Sequence, residues 1–316
     1  MLALSTTKLT SELRTYLQEK YPSLEFQFYR TMEEANDNIS EVEIILTYGE
    51  DITPDIIDRA GKLKWIMVLS AGMELMPFSE IKTRNILMTN SKGIHKTQMA
   101  EYAISMLLQV YRSAKEVTLN QLNHHWDRKV PMMEITGKTM VVVGTGAIGQ
   151  EVARLAKAFR MKTYGVSHSG KQKEYFDETY STSNLEVPLK EADFVVSVLP
   201  STNETKDYFQ YDHFKQMPKT AVFLNMGRGD AVSSELLIQA LDNEEITHAV
   251  LDVFEEEPLP KDHPLWSHEK VTLTPHISGK SPLYLTRAIE IFEQNLNRYL
   301  NGKSDYINEI KPDRGY

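Results

Sequence analysis

The amino-acid sequence predicts an α/β protein with two Rossmann-like units, one of which is a complete, doubly wound parallel sheet. Short apolar runs alternate with segments of helical period in two successive series, a pattern typical of βα units. One glycine-rich turn joins a strand to a helix in the second series. The length of 316 residues suits two domains rather than one.

The first series of elements lies in the amino-terminal third of the chain. Helical spacing predicts a helix over residues 8–20. Apolar runs bounded by turn residues predict strands at 24–28, 42–46, 65–69 and 86–88. These elements form a small α/β unit.

The second series is longer and predicts the doubly wound sheet. Its strands are expected at 139–143, 162–166, 194–198, 221–225, 248–253 and 270–273. A helix over residues 97–117 can connect the two units, and an amphipathic helix over 281–300 can return to the first.

Composition excludes several classes of protein. Hydrophobic residues make up 41% of the chain and charged residues 25%, unlike a disordered protein. Cysteine is absent from the sequence, which excludes disulfides, thiolate metal sites and a catalytic thiol. The net charge of −9 argues against a nucleic-acid binder or a binder of anionic membranes. Small molecules and protein chains remain as partners.

Two further expectations follow from patterns that are missing in the sequence. The start lacks a basic segment followed by an apolar one, and no apolar stretch is long enough to span a membrane, so we expect a cytoplasmic protein. Because no HExxH-type spacing of ligands occurs, we expect no metal site.

A GxGxxG turn follows the first strand of the second series. Gly144 allows the tight turn, Gly146 lets the backbone approach a pyrophosphate, and Gly149 lets helix and strand pack closely. Ala147 and Ile148 begin the helix, whose free amides can meet a phosphate charge. The turn could be only a turn, but its position between strand and helix favours dinucleotide binding.

The end of the next strand bears on the choice of cofactor. A NAD-selective site places an acid there to bind the ribose hydroxyls, whereas this chain has Ser167, His168, Ser169 and, two residues later, Lys171. These side chains can accommodate a 2′-phosphate, and the missing acid removes the repulsion against it. NADP is therefore favoured and NAD remains possible, since a solvated polar loop without arginine could accept either.

Three residues suited to catalysis follow three neighbouring strands: Arg228, Glu257 and His276. Ligands of open α/β sheets bind at the carboxyl ends of the strands, where all three should lie. An arginine fork can hold a carboxylate, with glycine on both sides leaving space for the ligand. A histidine paired with a carboxylate can give a proton to a developing alkoxide. Each residue alone is more often structural, but together they suit reduction of a 2-oxo acid.

A series of motifs occurs along the chain in one order: VVVGTGAIGQEVARLAKAFRMKTYGV, VVSVLPSTNET, FLNMGRGDAV, LDVFEEEPLPKDHPLW and TPHISG. In these motifs the chain resembles the D-isomer-specific 2-hydroxyacid dehydrogenase family, especially its glyoxylate/hydroxypyruvate reductase branch. The resemblance implies that Arg228, Glu257 and His276 form the catalytic set. It also implies a discontinuous, smaller, flavodoxin-like substrate domain, residues 1–95 and 281–316, with the NAD(P)-binding domain, 96–280, inserted.

The same resemblance implies further site residues and a homodimer. The cofactor would be bordered by Leu199, Pro200, Thr205, Met226, Gly227, Asp252 and Gly279, with Asp252 holding the nicotinamide amide. The substrate would be met by Tyr48, Gly49, Ala71, Gly72 and Met73. Residues 120–133 would form an arm across a partner subunit.

The leading hypothesis is a cytoplasmic reductase of small 2-oxo acids that prefers NADPH and gives the D-2-hydroxy acid. One rival hypothesis is a nucleotide-sensing binding protein with little turnover, since the same family includes corepressors. Another is a methyltransferase that uses the glycine turn for S-adenosylmethionine. The GxGxxG spacing and the acid-free strand end weaken the second rival.

Overall fold

The computed structural model describes residues 1–70, 73 and 75–311. They divide into two compact units. The split unit contains the described residues of Met1–Ile94 and Ser281–Tyr316, and the inserted unit contains His95–Lys280. The sequence places the first boundary after residue 95, one residue later than the structure does.

The split unit has a five-stranded parallel sheet in its described residues, with the order β2-β1-β3-β4-β5. This is the strand order of flavodoxin-like folds. Strand β1 is absent from the predicted elements, because no turn residue precedes its run LALS and marks it as a strand. The elements are β1 Leu2–Ser5, α1 Ser11–Lys20, β2 Glu25–Phe28, β3 Ile44–Thr47, α2 Pro54–Arg59, β4 Trp65–Val68, α3 Phe78–Thr83, β5 Leu87–Asn90 and, after the inserted unit, α10 Tyr284–Leu300.

The inserted unit has a seven-stranded parallel sheet in the described chain, with the order β12-β11-β10-β9-β6-β7-β8. Its helices are α4 Lys96–Tyr111, α5 Ala114–Leu122, α6 Ala147–Ala158, α7 Glu186–Leu189, α8 Tyr211–Gln216 and α9 Ser234–Asp242. Its strands are β6 Thr139–Val143, β7 Lys162–Ser167, β8 Glu178–Ser181, β9 Phe194–Ser197, β10 Val222–Asn225, β11 His248–Leu251 and β12 Val271–Leu273.

Two predictions for the inserted unit were wrong in detail. The helix expected over 97–117 is two helices, because Ser113 takes the left-handed conformation (φ 47°) between them. The sheet gains a seventh strand, β8, which pairs with β7 and shows no strong apolar run. Apolar residues cover both faces of this seven-stranded sheet. Val141 and Val195 belong to the apolar cluster on one face, and Val142 and Val196 belong to the cluster on the other.

The order of strands shows where a ligand can bind. From β6 the chain builds outward through β7 and β8, and it then returns to place β9 on the other side of β6. In open parallel sheets such a reversal opens a crevice at the carboxyl ends of the strands. The predicted motifs follow these strand ends. None of the helices in the described ranges is long and apolar enough to cross a membrane.

Candidate active site

The glycine turn after β6 is a closely packed junction between strand and helix. Gly144 has φ +108° and donates its amide to the Val166 carbonyl at 2.8 Å. A Cβ on Gly149 would lie 2.0 Å from the Gly144 oxygen, so α6 rests directly on the turn. Any side chain at Gly149 would separate the helix from the strand.

The start of α6 is open, in contrast to the turn below it. Gly146 is the N-cap, and a Cβ built there would meet nothing within 4 Å in the described chain. Ala147 and Ile148 follow in the first turn, and no side chain caps their amides. Unsatisfied amides at a helix start, together with the helix dipole, favour a phosphate group. These residues therefore fit the pyrophosphate of a dinucleotide.

The end of β7 presents polar and basic side chains. Ser167 is half-buried, and His168, Ser169 and Lys171 are exposed. Two nearby acids are engaged elsewhere: Asp177 accepts the Thr163 amide at 2.8 Å, at the opposite end of β7, and Glu178 accepts the Tyr180 hydroxyl at 2.6 Å. The position after the strand is thus free of a carboxylate that would repel a 2′-phosphate.

The loops after β9 and β10 are packed against each other. Thr205 donates its hydroxyl to the Pro200 carbonyl at 2.6 Å and accepts the Thr202 amide at 2.8 Å, which closes the first loop. A Cβ on Gly227 would lie 2.5 Å from the oxygen of Leu199. Buried Met226 precedes this contact. The structure therefore brings these predicted cofactor residues to one edge of the sheet.

Arg228 is exposed, and its Nη1 donates to the Gly227 carbonyl at 2.8 Å. The expectation that its flanking glycines leave space for a ligand was wrong. A Cβ on Gly229 would lie 1.9 Å from the backbone of Phe254, and Gly227 is packed on Leu199. Both glycines allow the loop after β10 to pack closely against the neighbouring loops that contain Leu199 and Phe254. This packing fixes the backbone on both sides of Arg228.

His276 and Glu257 form the predicted pair. Nδ1 of His276 lies 2.7 Å from Oε2 of Glu257, and Oε1 of Glu257 accepts the Phe254 amide at 3.0 Å. The histidine side chain is 50% exposed and the glutamate side chain 34%. With Nδ1 on the carboxylate, Nε2 is the ring nitrogen available to a reacting group. The pair can hold a proton and deliver it.

Asp252 makes contacts within the chain that the sequence did not indicate. Its carboxylate is fully buried and accepts from the Thr274 hydroxyl at 2.5 Å and from the amides of Ile277 and Ser278 at 2.9 and 2.8 Å. Its backbone carbonyl accepts the His276 amide at 2.8 Å. Asp252 therefore builds the loop that carries His276, and a nicotinamide contact stays a prediction.

His95, at the start of α4, is a residue whose part in the site the sequence reasoning missed. Its Nδ1 lies 3.3 Å from the carbonyl of Gly279, one of the predicted cofactor residues. Burial lowers the pKa of His95, with the Gly279 carbonyl opposing the effect and the positive charge of Arg228 adding to it. Helical spacing places His95 in one row with Gln98 and Tyr102, but this signal does not reveal the partners of the row.

The predicted substrate residues lie in the split unit. Gly49 has φ +95°, and its amide donates to the Thr47 hydroxyl at 2.7 Å. Tyr48 is half-buried, which raises the pKa of its phenol, and Met73 is buried. Ala71 and Gly72 lie outside the described residues.

Comparison with known proteins gives a consistent result. Residues 104–278 match the family described as D-isomer specific 2-hydroxyacid dehydrogenase, NAD binding domain. The chain is 30% identical over 303 residues to a glyoxylate/hydroxypyruvate reductase B of Enterobacter sp., covering 93% of each protein. It is 30% identical to a D-3-phosphoglycerate dehydrogenase of Methanocaldococcus jannaschii over 86% of this chain, but it spans only 52% of that relative's length.

Solved structures agree with these relatives. A D-isomer specific 2-hydroxyacid dehydrogenase family protein of Aeromonas salmonicida has a TM-score of 0.84 with 32% identity, over 99% of both chains. A D-isomer specific 2-hydroxyacid dehydrogenase of Xanthobacter autotrophicus, solved with NADPH and MES, has a TM-score of 0.79 with 26% identity, over 100% of this chain and 99% of that one.

Proposed function

The chain belongs to the D-isomer specific 2-hydroxyacid dehydrogenase family of NAD(P)-dependent oxidoreductases, and on this premise we propose that it is a 2-oxo acid reductase. Its substrate is a small acid of the glyoxylate or hydroxypyruvate type. The product is the 2-hydroxy acid, with the D configuration where a stereocentre forms, and NADPH is the preferred reductant.

The observation that supports this proposal most is the 2.7 Å contact between His276 and Glu257, in the same unit as the glycine turn. A nucleotide-binding turn alone fits many activities. A turn together with a carboxylate-supported imidazole fits one that adds a hydride and a proton to a carbonyl.

The three residues of the proposed catalytic set have distinct parts in the reaction. Glu257 orients the imidazole, and Arg228 holds the substrate carboxylate with its guanidinium fork. A bound nicotinamide would supply the hydride that reduces the carbonyl carbon. Nε2 of His276 gives its proton to the carbonyl oxygen as the C=O bond becomes C–OH. The neutral imidazole then takes a proton from solvent.

The preference for NADPH rests on the end of β7. Ser167, His168, Ser169 and Lys171 would surround the 2′-phosphate, with NAD accepted more weakly. The pyrophosphate would lie against the open start of α6. The related Xanthobacter structure contains NADPH, which supports the same choice.

The substrate contacts are proposed from the family resemblance. Tyr48, Gly49 and Met73, together with Ala71 and Gly72, would bind the 2-oxo acid in the split unit. A homodimer and a cytoplasmic location stay predictions from the sequence.

One observation favours a second candidate function, a NAD(P)-sensing binding protein with little turnover. Helix α5 and the segment after it carry apolar side chains that are exposed in the monomer, including Leu122 at 70% and Trp126 at 89%. Exposed apolar surface of this kind marks a contact with another protein chain, which is a target protein in the sensing hypothesis and the second subunit in the homodimer prediction.

An absorbance assay tests the proposal. It follows the loss of NADPH or NADH absorbance after addition of glyoxylate, hydroxypyruvate, pyruvate or bulkier 2-oxo acids. We expect turnover of the two smallest acids with NADPH and a lower kcat/KM with NADH. Tight NADPH binding without turnover of any of these acids would favour the sensing protein instead.

A further inference from the structure

One face of α4 carries three polar side chains that all reach the loop containing His276. His95, at the N-cap of α4, and Gln98 and Tyr102 within the helix are three and four residues apart, so they lie in one row. The loop comprises residues 274–279 and follows β12. All of these residues belong to the inserted unit.

The row contacts both ends of the loop. At the near end, the Tyr102 hydroxyl lies 2.6 Å from Oγ1 of Thr274. At the far end, Nε2 of Gln98 donates to the Gly279 carbonyl at 3.2 Å, and Nδ1 of His95 lies 3.3 Å from the same oxygen. A Cβ on Gly279 would come within 3.2 Å of that His95 nitrogen, so the packing here is close.

Asp252 holds the middle of the same loop from the other side. Its buried carboxylate binds Thr274, Ile277 and Ser278. Thr274 joins the two sets of contacts, because it meets Tyr102 and donates to Asp252. Burial and the negative charge of Asp252 raise the pKa of Tyr102, so its hydroxyl keeps a proton to donate.

We propose that His95, Gln98 and Tyr102 are positioning residues that hold the 274–279 loop and thereby aim the imidazole of His276. The inference rests on the proposed function, since the aim matters only if His276 gives a proton. His276 lies between the two contacted ends with φ +51°, which is strained for a residue with a side chain, so it relies on such support.

The same contacts tie the two points where the chain passes between units. His95 is the first residue of the inserted unit, and Gly279 is the residue before its last. The contacts of His95 and Gln98 with Gly279 therefore join the beginning and the end of the inserted unit.

Hydrogen exchange of the full-length protein tests the anchoring without substrate or cofactor. In Gln98→Leu and Tyr102→Phe we expect the amides of the 274–280 segment to exchange about tenfold faster, the effect of one lost hydrogen bond. Gln109→Leu makes the same change on an exposed site farther along α4 and should leave the segment unchanged. Unchanged exchange in both test variants would overturn the inference.

Steady-state kinetics test whether these contacts orient the imidazole of His276. Both variants should lose about tenfold or more in kcat for glyoxylate, because small misplacement of a reacting group is costly. His95→Asn, which keeps a donor for the Gly279 carbonyl, should retain more kcat than His95→Ala. Faster exchange with an unchanged kcat would overturn the positioning role.

The two readouts separate failure of the inference from failure of the proposed function. If the wild type reduces none of the acids but exchange accelerates as expected, the anchoring stands and the reductase assignment fails. If the wild type is active and neither exchange nor kcat responds to the variants, the inference fails and the assignment stands.

Discussion

The two sheets begin in the same way, with a strand that is flanked on both sides by later strands, but the turns that follow differ. After β1 in the split unit, Oγ of Ser5 lies 2.7 Å from Oγ1 of Thr7 and accepts the Thr7 amide at 3.2 Å, all buried. Thr10 then caps α1 by accepting the Leu13 amide. After β6 in the inserted unit, the same place holds glycines, and no side chain caps α6.

This difference shows how one architecture serves two purposes. Hydroxyl side chains satisfy the start of α1 from within the chain, which leaves little for an anion to bind. The glycine N-cap of α6 leaves its amides and the space before them to a ligand. The histidines are divided in the same way: all nine lie between residues 95 and 276, in the inserted unit. Phosphate binding and proton transfer are thus expected from one unit.

The largest effect is expected from removal of the proton donor in the inserted unit. His276→Ala should lower kcat for glyoxylate by about 10²- to 10⁴-fold, the usual contribution of general acid catalysis, with NADPH binding retained. His125→Ala removes an exposed imidazole from the same unit and serves as the control. Full activity in His276→Ala would show that the proton comes from another group.

A smaller effect is expected at the end of β7. Ser167→Asp places a carboxylate beside the proposed 2′-phosphate position and should weaken NADPH by about 10- to 100-fold through charge repulsion. NADH lacks that phosphate and provides the internal control in the same fluorescence titration. An equal loss for both cofactors would contradict the proposed phosphate site.

The smallest effect concerns stability in acid. His248 is mostly buried beside Thr272, and burial lowers its pKa to about 4 from 6.5, with the charge of Lys115 adding to the effect. As the pH falls below 6.5, His248 takes up a proton in the unfolded chain but not in the folded chain. The free energy of unfolding is therefore at its full value above pH 6.5 and decreases as the pH falls toward 4. The loss should be about 2 kcal/mol, discounted for partial exposure.

Urea denaturation from neutral pH down to mildly acidic pH checks this prediction. His248→Gln should flatten the decline, because glutamine does not titrate, whereas His125→Ala should not change it. The same decline in His248→Gln as in the wild type would place the acid-sensitive group elsewhere.

Sequence patterns predicted the fold class and the family, and the family is confirmed by the comparisons. Strand β6 was predicted with its observed bounds, because its run of four apolar residues, 140–143, ends at a glycine. Strand β1 was missed because no turn residue precedes its run LALS, and β8 was missed because ETYS is a partly exposed edge strand without an apolar run. The break between α4 and α5 depends on the backbone of Ser113 alone, which apolar spacing does not reveal.

The site was predictable where one residue type implies one chemistry. Arg228, Glu257 and His276 could be named from their places after strands, and the structure pairs the last two. The contacts of Asp252 and of the α4 row were not predictable. They depend on which backbone amides and carbonyls a folded loop presents, and no spacing in the sequence encodes that.

The most direct test of the difference between the two units is the affinity for NADPH after closing the open turn. Gly146 has a negative φ and empty space around it, so Gly146→Ala should fold with an unchanged Tm. Its methyl group would occupy the space expected for the pyrophosphate and should weaken NADPH by roughly tenfold or more. Gly61→Ala in the split unit is the control. Equal NADPH affinity in both variants and the wild type would contradict the account.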